Sequence, residues 1–125
     1  MTFPMIVIVD DEELVRAALA MVLERNGYQT TSFSSAKQAL ASLNDLGRID
    51  AIITDLVMPV MDGVLFIKRL REIGVQSPII TLTGGARVGQ HNMSIQAKEA
   101  GAAVTLQKPV DKNQLLSALE NVFNL

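Results

Sequence analysis

A chain of 125 residues is the length of one ordinary domain, so we expect a single domain over residues 1–125 with a real hydrophobic core. The composition is 49% hydrophobic and 19% charged, which is typical of soluble globular proteins, and a net charge of −2 gives no reason to expect a nucleic acid or an anionic membrane as partner. The absence of cysteine excludes disulfides and thiolate metal sites and is compatible with a reducing cytoplasm.

The first half of the chain alternates apolar runs with segments of helical period. Met5–Val9 is almost entirely apolar, as expected of a strand that is buried on both faces of a sheet. Apolar residues then recur at intervals of three and four, which predicts a helix. A second strand is predicted over Gln29–Phe33. A second helix follows, because Ser35 and Gln38 have the spacing of an N-terminal capping pair.

The second half repeats this alternation. Ala51–Thr54 and Pro78–Leu82 are predicted strands that are apolar almost throughout, and a fifth strand is predicted over Val104–Gln107. The fourth helix, roughly Met93–Ala100, has the weakest pattern because the segment before it is long and rich in glycine. A last helix is predicted after Asp111, because Asp111 and Gln114 also have the spacing of an N-terminal capping pair. Five such units predict a doubly wound (βα)₅ fold, a parallel sheet with helices on both faces.

Polar residues stand where four of the predicted strands end. Asp10 and Asp11 follow the first strand, Asp55 the third, Thr83 the fourth and Lys108 the fifth. Ligands of doubly wound sheets bind at this edge. If the strand order is 2-1-3-4-5, the first and third strands are neighbours about 4.8 Å apart, so the three acids lie close together. The long side chain of Lys108 can reach back to them.

The residue types at this edge predict metal and phosphate chemistry. Three adjacent carboxylates repel one another, and Mg²⁺ removes the conflict because it takes carboxylate, phosphate and water oxygens as ligands. A phosphoryl group on Asp55 would also account for Thr83 and Lys108, whose hydroxyl and ammonium would satisfy part of its charge. A carboxylate that attacks phosphorus beside a metal ion is ordinary covalent chemistry.

Four segments carry a family resemblance: IVIVDDEELVR, ITDLVMPVMDG, ITLTG and TLQKP. In this order they resemble the response-regulator receiver domains of bacterial two-component systems, of the kind that includes chemotaxis regulators. The acidic triplet alone is a weak signal, whereas D-x-x-M-P-x-M-D-G after an apolar strand is highly specific. The resemblance covers essentially the whole chain and implies a flavodoxin-like fold with strand order 2-1-3-4-5.

The resemblance implies which residues bind the metal and accept phosphate. Asp55 is similar to the phosphoacceptor of the family. Asp11 is similar to a direct Mg²⁺ ligand, and Asp10 to a ligand that acts mostly through water. The metal would also be bound by Asp55 and by the backbone carbonyl of Val57.

The resemblance also implies residues that bind the phosphoryl group and transmit the signal. Lys108 and Thr83, with Gly84 beside it, correspond to these positions, and Pro109 would follow a cis peptide bond. One departure is Thr105, which occupies a switch position where the family usually has an aromatic residue. The glycine-rich loop after Thr83 is therefore expected to carry part of the conformational response.

A second departure concerns the lifetime of the phosphoryl group. Val57 and Gly85 occupy two positions that influence phosphoaspartate hydrolysis in the family, and neither side chain can orient a water molecule. We therefore expect slow autodephosphorylation. The side chains of Arg87 and His91, in the same loop, are expected to be solvated.

The implied function is a phosphorylation-dependent signalling switch in the cytoplasm rather than an enzyme. The expected phosphodonor is a sensor histidine kinase or a histidine phosphotransfer protein. The output would be a separate protein target or an output domain of a longer chain, and a homodimer formed on phosphorylation is one option. No nucleic acid or membrane partner is expected for this domain.

Two alternatives remain beside this interpretation. The first is a pseudo-receiver, an interaction module that works without phosphorylation, and Thr105 is the feature that favours it. The second is a phosphatase of the haloacid-dehalogenase type, which would need an acid where this chain has Val57. A nucleotide-binding domain is disfavoured because the first loop is acidic and lacks a glycine-rich phosphate cradle.

Overall fold

The computed structural model describes residues 3–84 and 90–124, with only the backbone at residues 90 and 91. Strands and helices alternate along the chain. In order they are β1 Met5–Val9, α1 Glu13–Arg25, β2 Gln29–Phe33, α2 Ala36–Leu46, β3 Ala51–Asp55, α3 Gly63–Glu72, β4 Ile79–Thr83, α4 Gln90–Ala100, β5 Val104–Gln107 and α5 Lys112–Phe123.

The five strands form one parallel sheet in the order β2-β1-β3-β4-β5. This confirms the flavodoxin-like (βα)₅ fold. The predicted bounds of β1, β2 and β5 agree with the structure, while β3 extends to Asp55 and β4 lies one residue later than predicted. Helix α4 begins at Gln90, three residues before the predicted start.

Two hydrophobic cores cover the two faces of the sheet. Alternate residues of each inner strand enter opposite cores, because successive side chains of a strand point to opposite faces. One core packs against α2, α3 and α4 and includes Val7, Val9, Ile52, Ile79, Phe66, Leu70 and Ala97. The other packs against α1 and α5 and includes Ile6, Ile8, Ile53, Leu82, Leu19, Leu23, Leu115 and Leu119. Both faces of β1, β3 and β4 are therefore buried, as their apolar sequences predicted.

Local capping interactions fix where several helices begin. Ser35 Oγ accepts a hydrogen bond from the backbone N–H of Gln38 at 3.1 Å, and Asp111 Oδ2 accepts one from Gln114 at 2.9 Å, which confirms both predicted caps. Helix α3 is also capped, by Asp62, whose Oδ1 accepts from the backbone N–H of Leu65 at 2.9 Å. Among the described residues, no helix has the length and apolar character needed to cross a bilayer.

Candidate acidic site at the carboxyl ends of the strands

The parallel sheet brings the predicted acids together. Val9 pairs in register with Thr54, so the next residues, Asp10 directly after β1 and Asp55 at the end of β3, lie side by side. Asp10 has no exposed surface and Asp55 is 4% exposed. Asp10 is fixed locally, since its Oδ1 accepts a hydrogen bond from the backbone N–H of Glu12 at 2.9 Å. Two buried carboxylates therefore share one pocket at the sheet edge.

Lys108 reaches back across the sheet to these acids. Its Nζ lies 2.8 Å from Asp10 Oδ2 and 3.0 Å from Asp55 Oδ2, and 3.5 Å from Glu12 Oε1. The backbone N–H of Lys108 donates to the carbonyl of Thr83 at 2.7 Å, which fixes the start of this side chain against the end of β4. The peptide bond between Lys108 and Pro109 is cis.

The charges of the site are out of balance. Burial raises the pKa of the Asp55 carboxyl above its usual value; the hydrogen bond from Lys108 opposes this rise, and the charge of Asp10 adds to it. Burial alone would lower the pKa of Lys108, but the hydrogen bonds and charges of Asp10 and Asp55 outweigh it and raise that pKa. One ammonium thus serves two buried carboxylates, and it neutralises only one of them.

The acids form a cluster whose composition suits a hard divalent cation. Asp10, Asp11, Glu12 and Asp55 each offer a carboxylate oxygen, and these four oxygens lie within 4.8 Å of one another. Asp11 and Glu12 are exposed while the other two are buried, so a cation would be reached from solvent on one side. Oxygen donors of this kind fit Mg²⁺ better than softer metals.

The loop between β3 and α3 closes the site on another side. The backbone N–H of Val57 donates to Asp55 Oδ1 at 3.3 Å, so this peptide lies against the acid cluster. Gly63 starts α3 directly beneath it: an added Cβ would overlap the carbonyl oxygen of Asp55 and lie 2.7 Å from Leu56 Cα. Val60 has a φ of 69°, which is unusual for a β-branched residue, and is 99% exposed.

The end of β4 forms the remaining wall. Thr83 is 5% exposed and is the last residue of that strand. Gly84 is exposed and lines a groove of about 590 Å³ that it shares with Glu12 and Lys108. Of the glycine-rich loop that follows, Gly85 and Arg87 lie outside the described residues, as does the side chain of His91.

Two features of the site did not follow from the sequence. Glu12 joins the acid cluster and approaches Lys108, although its exposed position next to two aspartates reads as a helix start. Thr105, expected only to lack an aromatic ring, has its hydroxyl 2.7 Å from that of Thr81. Thr81 and Thr105 both lie in strands, where the residue type alone indicates no more than β propensity.

The sequence is similar to those of known proteins. A family model described as the response regulator receiver domain matches residues 6–120. The chain is 37% identical over 113 residues to the transcriptional regulatory protein FixJ of Rhizobium meliloti, covering 90% of this chain and 53% of that protein. It is 30% identical over 120 residues to the chemotaxis protein CheY of Bacillus subtilis, covering 95% of this chain and 97% of that one.

Solved structures of related proteins have the same fold as this chain. The structure described as FixJ-N superimposes with a TM-score of 0.86 at 35% identity, covering 98% of this chain and 94% of that one. The chemotaxis response regulator CheY4 of Vibrio cholerae superimposes with a TM-score of 0.84 at 31% identity, covering 97% and 99% of the two chains. The chain spans about half the length of the first curated relatives it matches.

Proposed function

The chain belongs to the response regulator receiver domain family, and on that basis we propose that it is a signalling switch whose phosphoacceptor is Asp55. The observation that carries the proposal is the contact of one lysine with two buried carboxylates at the sheet edge, 2.8 Å from Asp10 and 3.0 Å from Asp55. Asp55 is the member of this pair that ends a central strand and faces the loop before α3.

Asp55 would act as a nucleophile. One of its carboxylate oxygens forms a bond to phosphorus while the bond between phosphorus and the donor's imidazole nitrogen breaks, so the phosphoryl group passes to the aspartate and the donor histidine is released. Burial favours this role, because few water molecules compete for the carboxylate. Asp10, hydrogen-bonded to the backbone of Glu12, stays in place beside it.

Lys108 would bind the phosphoryl group once it is on Asp55. It contacts Asp55 Oδ2 before the reaction, and a phosphoryl group on Asp55 offers stronger acceptor oxygens within reach of the same ammonium. Thr83, which ends β4, and Gly84 after it would supply a hydroxyl and a backbone amide to the same group. These three residues are our proposed phosphoryl-binding and switch residues.

The acid cluster would hold Mg²⁺ through Asp10, Asp11, Asp55 and the backbone carbonyl of Val57. When bound, the cation would neutralise charge on the transferred phosphoryl oxygens. Asp11 is the exposed acid of this set, whereas Asp10 and Asp55 are buried, so Asp11 is available to a cation that enters from solvent. Glu12 belongs to the same cluster and is 63% exposed at its side chain.

The lifetime of the phosphoryl group would be long. Val57 is 39% exposed beside Asp55 and presents only methyl groups to solvent there. A water molecule that attacks the phosphoaspartate finds no hydrogen-bond partner on this side chain. A Val57→Asn variant should therefore lose the phosphoryl group faster than the wild-type chain, and equal rates would exclude this effect of Val57.

We place the whole chain, residues 1–125, in one receiver module. Its phosphodonor would be a sensor histidine kinase or a histidine phosphotransfer protein. Its output would be a separate target protein or an output domain, since the chain matches about half of its FixJ-type relatives. Phosphorylation-dependent homodimerisation is a further form that the output could take.

The test is phosphorylation by a small donor. We would incubate the protein with acetyl phosphate and Mg²⁺ and record the intact mass, with a chelator as the metal control. The matched control is Asp45→Asn, because Asp45 is an exposed aspartate on α2, against Asp55→Asn. We expect an adduct that requires Mg²⁺, persists in Asp45→Asn and disappears in Asp55→Asn.

Two outcomes would contradict the proposal. An adduct that persists in Asp55→Asn would place the acceptor elsewhere. No adduct, together with no binding of beryllofluoride to the wild-type chain, would favour an interaction module that works without phosphorylation.

A further inference from the structure

Three threonines lead from the candidate site toward α4. Thr83 ends β4, and Thr81 stands two residues earlier on the same face of that strand. Thr105, on the edge strand β5, pairs in register with Thr81. Thr81 is fully buried, Thr83 is 5% exposed and Thr105 is half-buried. The hydroxyls therefore run from the buried site to the rim of the sheet.

Thr81 and Thr105 are joined through their side chains. Their hydroxyl oxygens lie 2.7 Å apart, and either of them can be the donor. A second acceptor, the carbonyl oxygen of Val104, lies 3.4 Å from Thr81 Oγ1. Each hydroxyl has one proton to donate. The pair consequently has two arrangements: Thr81 donates to Thr105, or Thr105 donates to Thr81 while Thr81 turns its proton to Val104.

The buried position of Thr81 makes this pair costly to break. A hydroxyl taken out of water without a hydrogen-bond partner is unfavourable, and Thr81 has no exposed surface. Thr105 is the partner on the neighbouring strand. A shift of β5 against β4 must therefore carry the pair along or change which of the two hydroxyls donates.

The same two strands are joined again at the candidate site. The backbone N–H of Lys108 donates to the carbonyl of Thr83 at 2.7 Å, and the Lys108 ammonium contacts both Asp10 and Asp55. A change of charge on Asp55 would act on Lys108, which follows β5, and through the backbone hydrogen bond of Lys108 on Thr83 at the end of β4. The Thr81–Thr105 pair is the next side-chain link between these strands, two residues from Thr83.

On the side away from the candidate site, the Thr81–Thr105 pair borders a groove. Thr105 lines a cavity of about 370 Å³ between α4 and β5, with Ser94, Ile95 and Lys98 along its α4 side. When Thr81 donates to Thr105, the proton of Thr105 is not used within the pair and can be donated to a group in the groove that Thr105 lines. When Thr105 donates inward, the groove loses that donor. The two arrangements differ in what they present at the surface.

We propose that the Thr81–Thr105 hydroxyl pair couples occupancy of Asp55 to the α4–β5 groove. The proposal rests on the function proposed above and names the regulation of the same site. Thr105 is a positioning residue here, because it acts through Thr81 and β4 and does not touch the phosphoryl group. The hydrogen bond between Thr81 and Thr105 thus transmits the change between strands, because Thr105 has no aromatic ring that could rotate.

The test uses Thr105→Val, which keeps the shape of the side chain and removes the hydroxyl. Amide chemical shifts of the whole chain would be recorded with Mg²⁺, before and after saturation with beryllofluoride. The response of Val104–Gln107 would be divided by the response of Leu56 and Val57, so that binding at Asp55 is measured in the same sample. Thr105→Ser restores a hydroxyl, and Thr31→Val is the matched control on the other edge strand, where Thr31 is also half-buried.

We expect the ratio to fall about twofold to tenfold in Thr105→Val, the change that corresponds to loss of one net hydrogen bond. It should return toward the wild-type ratio in Thr105→Ser and stay unchanged in Thr31→Val. An unchanged ratio in Thr105→Val, or no recovery in Thr105→Ser, would overturn the coupling and leave the function of Asp55 intact. No response at Leu56 and Val57 in the wild-type chain would overturn the proposed function, and the coupling with it.

Discussion

Helices α3 and α4 cover the same face of the sheet, but they are held in different ways. Helix α3 buries Gly63, Val64, Phe66, Ile67 and Leu70. Among the described side chains of α4, residues 92–100, only Ala97 is buried. Burial of apolar surface is the main source of stability for a surface helix. Displacing α3 therefore costs much more than displacing α4.

The difference in packing between α3 and α4 indicates that the two sides of the site have different roles. The loop that leads into α3 contains the Val57 amide that binds Asp55, and Gly63 packs directly on the Asp55 backbone. The proposed acceptor, Asp55, therefore lies on the firmly packed side of the site. Helix α4 forms the lightly packed side, and elements that move in switching are drawn from regions of low local stability. A change at Asp55 should be expressed on the α4 side.

The largest expected effect is the loss of Phe66. This ring is fully buried on α3, so Phe66→Ala should lower the free energy of unfolding by about 3–5 kcal/mol. Ile95→Ala on α4, where the side chain is 47% exposed, should change it by no more than about 0.5 kcal/mol. Urea unfolding followed by circular dichroism measures both. Equal losses in the two variants would remove the basis of the comparison.

A smaller but still large effect is expected at the first residue of α3. The Cβ of Gly63→Ala would overlap the Asp55 carbonyl oxygen and approach Leu56 Cα at 2.7 Å, and both are backbone atoms that cannot swing away. We expect a loss of about 2–3 kcal/mol in unfolding free energy and slower phosphorylation by acetyl phosphate, because Asp55 must shift. A variant with wild-type stability and rate would show that α3 does not fix the position of Asp55.

Arg71 offers a way to loosen α4 without touching the core. Its guanidinium donates to the carbonyls of Val75, Ser77 and Gly101, so it ties the end of α3 and the following loop to the residue after α4. Arg71→Met should cost about 1–2 kcal/mol, since the three carbonyls are partly able to find water. Hydrogen exchange should accelerate in α4 more than in α3. Arg71→Lys keeps the charge but loses the forked geometry, so most of the effect should remain in it. Equal acceleration in both helices would count against Arg71 as a specific tie.

The smallest effect concerns the charge on Asp55 itself. Burial raises the pKa of this carboxyl in the folded state, so its ionised form weakens the fold relative to the unfolded chain. The penalty is present above the folded pKa and disappears below the unfolded pKa, where the carboxyl is neutral in both states. Asp55→Asn should therefore raise Tm slightly at pH 7 and leave it nearly unchanged near the acidic end of the stable range. A fall in Tm at pH 7 would mean that the attraction of Lys108 outweighs burial.

Much of the fold followed from the sequence because its signals are local. The apolar runs of β1, β3 and β4 read as strands because both of their faces are buried. The caps at Ser35 and Asp111 were recognisable because each lies three residues before its partner. The acids could be placed together because the carboxyl ends of parallel strands share one edge of the sheet.

Other features depend on relations that the sequence does not encode locally. The Thr81–Thr105 bond requires the register of β4 against β5, and the predicted start of β4 was one residue early. The cap at Asp62 was missed because an Asp-Gly pair after proline reads as a turn. The approach of Glu12 to Lys108 depends on how two long side chains bend across the sheet edge.

Trapping the acyl phosphate on the wild-type chain tests the central claim most directly. The protein would be incubated with acetyl phosphate and Mg²⁺ and then reduced with borohydride, which converts a phosphorylated aspartate to homoserine. Peptide mapping would locate the product without any substitution in the site. We predict homoserine at position 55 and unmodified Asp10, Asp11 and Glu12. Homoserine at one of those three acids, or none in a chain that binds Mg²⁺, would contradict the account.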